Sequence, residues 1–420
     1  MQENRFLESL IWNYFSLAIL AISGIALNVI IGLNYESSIL GAFNQVLTIY
    51  FIFSMIGSVG INYSVLHSIS KDSQNKEQLK SIIAGGFISV LITSLLNTII
   101  FIISINPISR FLNSELIYDG MLLISPGLYF FSINKVLLNG IINGLNKMKA
   151  YAFFQSLRYL LILLGLFWAL IITLEGSKLT IIFSFSEFLL FLILLFYLNR
   201  SVRWWQGKSI FKWANIHTKY GFKSFVGSIL IEINPRVDIL MIGFYLSDTN
   251  VGIYSFSALF AEGFFQLLIV MQNIYNPILS RNVVIGKKKL IENFIRTGIR
   301  NSYLLIIPIG ILSIIFYPLI LGLLTNKSEY VNGVDSFRVL ILGICLISGF
   351  VPFYNIFSMS NLPWIQSVFM LKVVLVNIIS NLILIPIFGI FGAALGTFTS
   401  LVASIIIFKY LTKRKLGLEV

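Results

Sequence analysis

Residues 179–199 read LTIIFSFSEFLLFLILLFYLN, a run of apolar side chains interrupted by one charge, Glu187. At about 1.5 Å per residue such a helix is roughly 30 Å long, the thickness of a bilayer's hydrocarbon core. The rest of the chain repeats the pattern. Apolar runs separated by polar or Pro/Gly turns predict twelve spans near 9–33, 38–67, 81–105, 116–144, 150–173, 179–199, 221–246, 250–279, 297–324, 334–358, 364–385 and 388–410. Composition agrees: of 420 residues 57% are hydrophobic and 11% charged, with a mean hydropathy of +0.90. A soluble domain carries roughly a quarter charged residues, so the expected fold class is all-α integral membrane. Several spans exceed the roughly 20 residues a bilayer needs, and tilt or protrusion is expected for them.

Several function classes fall away at once. Gly207-Lys208-Ser209 ends like a nucleotide-binding loop, but Val202 stands where its first glycine belongs. The single cysteine, Cys345, excludes an internal disulfide, and two histidines, His67 and His217, argue against a zinc or haem site. Glu3, Arg5 and Glu8 precede the first apolar run, which lacks a cleavable signal's basic start, so the first helix is expected to stay in the mature protein.

Lys and Arg fall in alternate loops: Lys71, Lys76 and Lys80; Lys147 and Lys149; Arg200 to Lys223; Arg281 to Lys289; and Lys413 to Lys415. The remaining loops hold only Arg110, Lys178, Lys327 and Arg338. By the positive-inside rule both termini are cytoplasmic, which requires an even number of spans and puts Lys178 and Lys327 outside. The net charge of +13 is therefore a topology signal, and no nucleic-acid partner is expected, because the cations line membrane edges.

An offset of 211 residues brings similar stretches into register: Ile31-Gly32 with Ile242-Gly243, Leu40-Gly41-x-Phe43 with Val251-Gly252-x-Tyr254, and Pro107 with Pro318. The coincidence predicts a duplicated chain of two six-helix lobes, 1–200 and 221–420. The linker, 201–220, mixes Arg203-Trp204-Trp205 with Phe211-Lys212-Trp213, which suits an interfacial helix on an anionic inner leaflet.

Segment 219–281 contains Asn234-Pro-Arg-Val-Asp238, Gly243-Phe-Tyr-Leu-Ser, Val251-Gly-Ile-Tyr-Ser255 and Asn276-Pro-Ile-Leu-Ser280; Leu40-Gly-Ala-Phe-Asn44 and Asn143-Gly-Leu-Asn146-Lys-Met-Lys-Ala-Tyr151 lie in the first half. These stretches resemble polysaccharide-unit (O-antigen, Wzx-type) flippases of the multidrug/oligosaccharidyl-lipid/polysaccharide exporter superfamily. The resemblance implies two lobes around a central cavity in a bacterial inner membrane. It also implies translocation of an undecaprenyl-pyrophosphate-linked oligosaccharide to the outer leaflet during surface polysaccharide (capsule, lipopolysaccharide) biosynthesis, with no enzymatic step. A polysaccharide polymerase is a candidate partner.

Ionisable residues inside spans cost at least ~2.5 kcal/mol at the bilayer centre and normally face protein or water. Four cations qualify: Lys135 in the fourth span, Arg158 in the fifth, Arg236 in the seventh and Lys372 in the eleventh. They suit walls that accept a pyrophosphate or acidic sugars, since an anion leaving water needs compensation. The bland alternatives are snorkelling for Arg158 and a structural ion pair for Arg236. Among the acids Glu187, Glu232, Asp238 and Glu262, Glu232 stands four before Arg236, the favourable order for a pair on one helix face. Glu262 lies at a depth similar to Arg236. Glu232, Asp238 and Glu262 are candidates for pairing or for coupling to a proton or sodium gradient. Asp238 also reads as a cap on a helix turn near Pro235, which is expected to kink the seventh span. Asn13, Asn28, Asn44, Asn62, Asn134, Asn273, Asn355 and Asn377 fall in spans and read first as helix-joining groups. Gly392 and Gly396 read as a close-packing pair, and Tyr14, Tyr50, Tyr63, Tyr129 and Tyr254 as packing or sugar-stacking rings.

Two other functions compete. A multidrug-type exporter of the same fold would want an acidic cavity, and a membrane glycosyltransferase or polymerase would want a catalytic residue on a sizeable outer loop. A peptidoglycan-precursor flippase would resemble this fold with two extra helices.

Overall fold

Long apolar runs fold as helices here because lipid offers no partner for an unpaired backbone N–H or C=O. The computed structural model describes residues 2–72, 75–202, 204–233, 236–286, 288–325 and 327–419, and among them it has no strand. The helices are α1 (Gln2–Asn34), α2 (Ser37–Ser58), α3 (Ile61–Asp72), α4 (Lys76–Phe111), α5 (Glu115–Lys135) continued by a π-helix (Val136–Ile142), α6 (Met148–Ile171), α7 (Ile181–Val202), α8 (Ile210–Ile233), α9 (Val237–Tyr245), α10 (Asp248–Ile285), α11 (Lys288–Leu324), α12 (Val334–Ile347), α13 (Ile356–Met359) and α14 (Pro363–Leu416).

Nine helices among the described residues are long and apolar enough to cross a bilayer. α1 contains the shorter apolar stretch Ala18–Asn34, and α8 and α9 occupy the region of the expected seventh span. The 54 residues of α14 are too long for one crossing and break at Gly389, whose φ of 60° and ψ of −137° suit a residue without Cβ. The chain is thus a multi-pass, all-helical membrane protein: nine helices among the described residues have the length and apolarity of a span, and the break in α14 divides one of them.

The differences from the sequence reading lie at the ends. α4 begins at Lys76 instead of 81 because the Asn75 side chain accepts the Glu77 and Gln78 amides, 3.2 Å each, and so caps an extra polar turn. The second span divides into α2 and α3 at Val59 and Gly60, both with positive φ. The tenth stops at Ile347, followed by a 3₁₀ turn holding Pro352, which has no N–H to continue a helix. The seventh begins eleven residues early, at Ile210, so half of the expected linker is helix continuous with α8.

Two compact units form, Met1–Ile30 with Ala42–Ile229, and Ile31–Gly41 with Leu230–Val420. In the first, α5 packs on α4 and α7, and α3 packs on the π-helix. In the second, α12 packs on α14 and α10.

The second unit holds a close contact between two of the stretches that the 211-residue offset aligns. A Cβ on Gly41 would overlap the Asp248 carbonyl oxygen and stand 2.7 Å from the Gly252 nitrogen. A Cβ on Gly252 would overlap the Ser37 carbonyl oxygen. Ser37 and Asp248 are 211 residues apart, as are Gly41 and Gly252. The contact is therefore reciprocal. Both partners are backbone and cannot swing away. Gly41→Val or Gly252→Val should each cost roughly 3 kcal/mol, the upper part of the range for overpacking. The yield of monodisperse detergent-purified protein should fall for both, whereas Gly322→Val, where nothing lies within 4 Å of the new Cβ, should leave it unchanged.

Candidate functional site

Two buried carboxylates, one in each unit, organise the ionisable groups. In the second unit α9 carries Asp238 in its first turn. Across from it the hairpin of α14 closes tightly. A Cβ on Gly392 would overlap the Leu384 carbonyl and one on Gly396 would overlap Asn381 Oδ1. The expected close-packing pair thus brings the two limbs of the hairpin together and sets Thr397 beside Asn377, whose Nδ2 donates to Thr397 Oγ1 at 3.4 Å.

Asp238 is buried and accepts from three directions: Tyr254 Oη at 2.7 Å from α10, Asn381 Nδ2 at 2.7 Å, and Thr397 Oγ1 in a short hydrogen bond. Asn381 also donates to Asn377 Oδ1 at 3.3 Å. The expected helix-capping role for Asp238 is not what the structure shows, because α9 starts so close to α10 and the α14 hairpin that their side chains reach the carboxylate.

No cation pairs with Asp238 among the described residues, so its charge rests on neutral donors alone. Every group around it carries oxygen: a carboxylate, two amides and two hydroxyls. Asn381 Oδ1 is buried without a hydrogen-bond partner. Turning that amide over exchanges its oxygen and nitrogen at little steric change, which would aim a second oxygen at the carboxylate. These residues fit a monovalent cation or a proton. A group of three His, Cys, Asp or Glu able to hold a transition metal is absent among the described residues.

Glu262 on α10 lies within electrostatic reach of both Arg236 and Asp238. Arg236 is half-buried just before α9, and Glu262 is exposed. The side chain of Glu232, and Pro235 altogether, lie outside the described residues. Lys372 stands on the first half of α14, exposed and with no ion pair among the described residues.

In the first unit Arg158 on α6 pairs with Glu187 on α7, Nε to Oε1 2.8 Å, and both are largely buried. Asn134 at the end of α5 donates to the Glu187 carbonyl at 2.9 Å and to its Oε2 at 2.8 Å. The Phe131 ring lies 4.7 Å from the guanidinium carbon. Glu187 thus neutralises Arg158. Lys135, half-buried, ends α5 where the backbone enters the π-helix. Of the four expected cations, Lys135 and Arg158 belong to the first unit and Arg236 and Lys372 to the second.

Asn381 and Thr397 were not singled out in the sequence, although Asn377 and Asn381, four apart, share one face of a helix. Among the expected helix-joining amides, Asn44 Nδ2 does donate to Asn28 Oδ1 at 2.9 Å, joining α2 to α1.

The multi-pass helical fold, taken with the family and fold matches that follow, is that of the multidrug/oligosaccharidyl-lipid/polysaccharide exporter superfamily. The family model described as "Polysaccharide biosynthesis protein" matches residues 38–285, and the chain belongs to that family. The MatE model matches residues 224–383. No curated protein matches in sequence. Among solved structures, the lipid II flippase MurJ in an inward closed conformation superposes with a TM-score of 0.79 at 17% identity, over 97% of this chain and 87% of that one. An inward-facing multidrug resistance MATE family transporter of the MOP superfamily gives 0.79 at 13% identity, over 96% and 95%. A mutant of the Vibrio cholerae MATE transporter VcmN gives 0.65 at 11% identity, over 98% and 97%. These chains share the fold.

Proposed function

We propose that this protein is a flippase that moves undecaprenyl-pyrophosphate-linked oligosaccharide repeat units from the cytoplasmic to the outer leaflet of a bacterial inner membrane, for O-antigen or capsule synthesis. The observation that carries the reading is the match of residues 38–285 to the polysaccharide biosynthesis family, together with cations placed within spans. Lys135, Arg236 and Lys372 are the candidate cations for the anionic pyrophosphate, while Arg158 is paired with Glu187. Asp238 with Asn377, Asn381 and Thr397 takes up the coupling cation, a proton or Na⁺, and Glu262 tunes Arg236 beside it. Both termini face the cytoplasm, and a polymerase consumes the delivered units. No bond is made or broken.

Deleting the gene should leave repeat units fully assembled on their lipid but inaccessible from outside; incomplete units would instead favour a transferase. In the complemented strain Lys372→Gln should lower transport by about tenfold, the value of one charge-assisted contact, at unchanged protein abundance. Lys372→Arg should retain much of it. Glutamine variants at Lys135, Arg236 and Lys372 that are well expressed and fully active would sink the assignment of the three cations.

The MatE match over residues 224–383 favours a second reading, a cation-coupled exporter of organic cations. Lys135, Arg236 and Lys372 speak against it, since an organic cation would be repelled by them, Arg158 being neutralised by Glu187. Export of a cationic dye by proteoliposomes, with no effect of the deletion on repeat units, would decide for it.

A further inference from the structure

Between Glu187 and Glu232 the chain has no carboxylate and six cations, Arg200, Arg203, Lys208, Lys212, Lys219 and Lys223. α4 shows where part of this segment lies. Its large exposed residues from Ile92 to Ile103 are all apolar, a lipid-facing belt, whereas its charges at the near end are confined to Lys76–Lys80. Residues 81–89 therefore sit at the edge of the hydrocarbon, at headgroup level.

The segment 204–217 packs against that edge. Ser89 Oγ donates to the Ala214 carbonyl at 3.0 Å. His217 is fully buried: its Nε2–H donates to the Ile82 carbonyl at 3.2 Å, so its Nδ1 accepts from Ser64 Oγ at 2.8 Å. Packing divides the aromatic residues. Trp204 turns inward onto Phe87, ring centroids 4.6 Å apart, and Trp213 stacks on His217. Trp205 and Phe211 face outward, 51% and 81% exposed. Beside them the Lys208 side chain is 86% exposed and Lys212 is exposed. Glu77 is the one acid paired with these lysines among the described residues, 3.4 Å from Lys80 and 4.0 Å from Lys208, against the four cations Lys76, Lys80, Lys208 and Lys212.

We propose that Trp205, Lys208, Phe211 and Lys212 form a docking site for anionic phospholipid headgroups of the surrounding leaflet. Aromatic rings at headgroup depth bury their apolar faces, and the two ammonium groups meet phosphate. Because the same segment holds α3 and α4 through Ser64, Ile82 and Ser89, a bound lipid clamps the start of α8 onto α3 and α4 within the first unit.

The test uses full-length protein in a neutral detergent, titrated with short-chain phosphatidylglycerol or phosphatidylcholine while thermal stability is followed. Phosphatidylglycerol should stabilise and phosphatidylcholine should not. Lys208→Gln with Lys212→Gln should weaken the phosphatidylglycerol response roughly 30-fold, at about 1 kcal/mol per lysine. Phe211→Ser should weaken it with both lysines present. The lipid-free melting temperature should stay unchanged in these variants, because the replaced groups point to solvent. Lys288→Gln with Lys289→Gln, an exposed pair on α11, is the control and should respond as wild type. An undiminished response in the Lys208/Lys212 variant, or an equal loss in the control, would overturn the site.

Discussion

Asp238→Asn should reduce gradient-driven transport by roughly 100-fold while leaving the protein folded and inserted. The substitution keeps the shape of the side chain and removes the one formal charge in a cluster of neutral oxygens, and a hydrogen-bonded charge contributes about 1.5–3 kcal/mol. Folding should survive because Asn381 can turn its unpartnered Oδ1 toward the new amide, while Tyr254 and Thr397 still donate to the remaining oxygen. Thermal stability gives an independent readout. Ligand that binds only the native state raises its stability by mass action. Wild-type protein should therefore melt higher in NaCl than in choline chloride if the site takes Na⁺, and Asp238→Asn should lose that difference. A wild type indifferent to Na⁺, with transport following an imposed proton gradient, would assign the proton instead. Full gradient-driven transport by Asp238→Asn would remove Asp238 from coupling.

Glu187→Gln should be among the most destabilising single substitutions, at about 3–5 kcal/mol, because it leaves the Arg158 charge buried without its counter-charge. Arg158 is poorly placed to recover: its Nη2 already lacks a hydrogen-bond acceptor among the described residues, and the Phe131 ring lies against the guanidinium. The double change Arg158→Met with Glu187→Leu removes both charges and should return stability close to wild type. Melting temperature in detergent checks both statements. Transport by the double variant then separates a structural pair, which leaves activity intact, from a working one, which does not.

The all-helical, multi-pass fold was legible in the chain itself. Hydropathy sums over some twenty residues and tolerates local error, and a lipid-embedded backbone has no alternative to the helix. The offset of 211 residues marked Gly41 and Gly252 as equivalent, yet only packing revealed that the two glycines and the Ser37 and Asp248 carbonyls touch reciprocally. Single ionisable residues in apolar runs, such as Glu187 and Asp238, stood out for the same reason: charge in a span is costly wherever it occurs.

Their partners did not stand out. Arg158 and Glu187 are 29 residues apart, and Asp238 finds Asn381 and Thr397 more than 140 residues away. Nothing local encodes which helices will be neighbours, and an asparagine or threonine in a span reads the same whether it joins helices or serves a carboxylate. The outer limits of helices were also invisible where a side chain decided them, as at Asn75. Periodicity and hydropathy act along the chain and are present in the sequence. The pairing of charges, the hairpin at Gly389 and the division of Trp204 from Trp205 depend on which surfaces meet, and that is decided by tertiary packing alone.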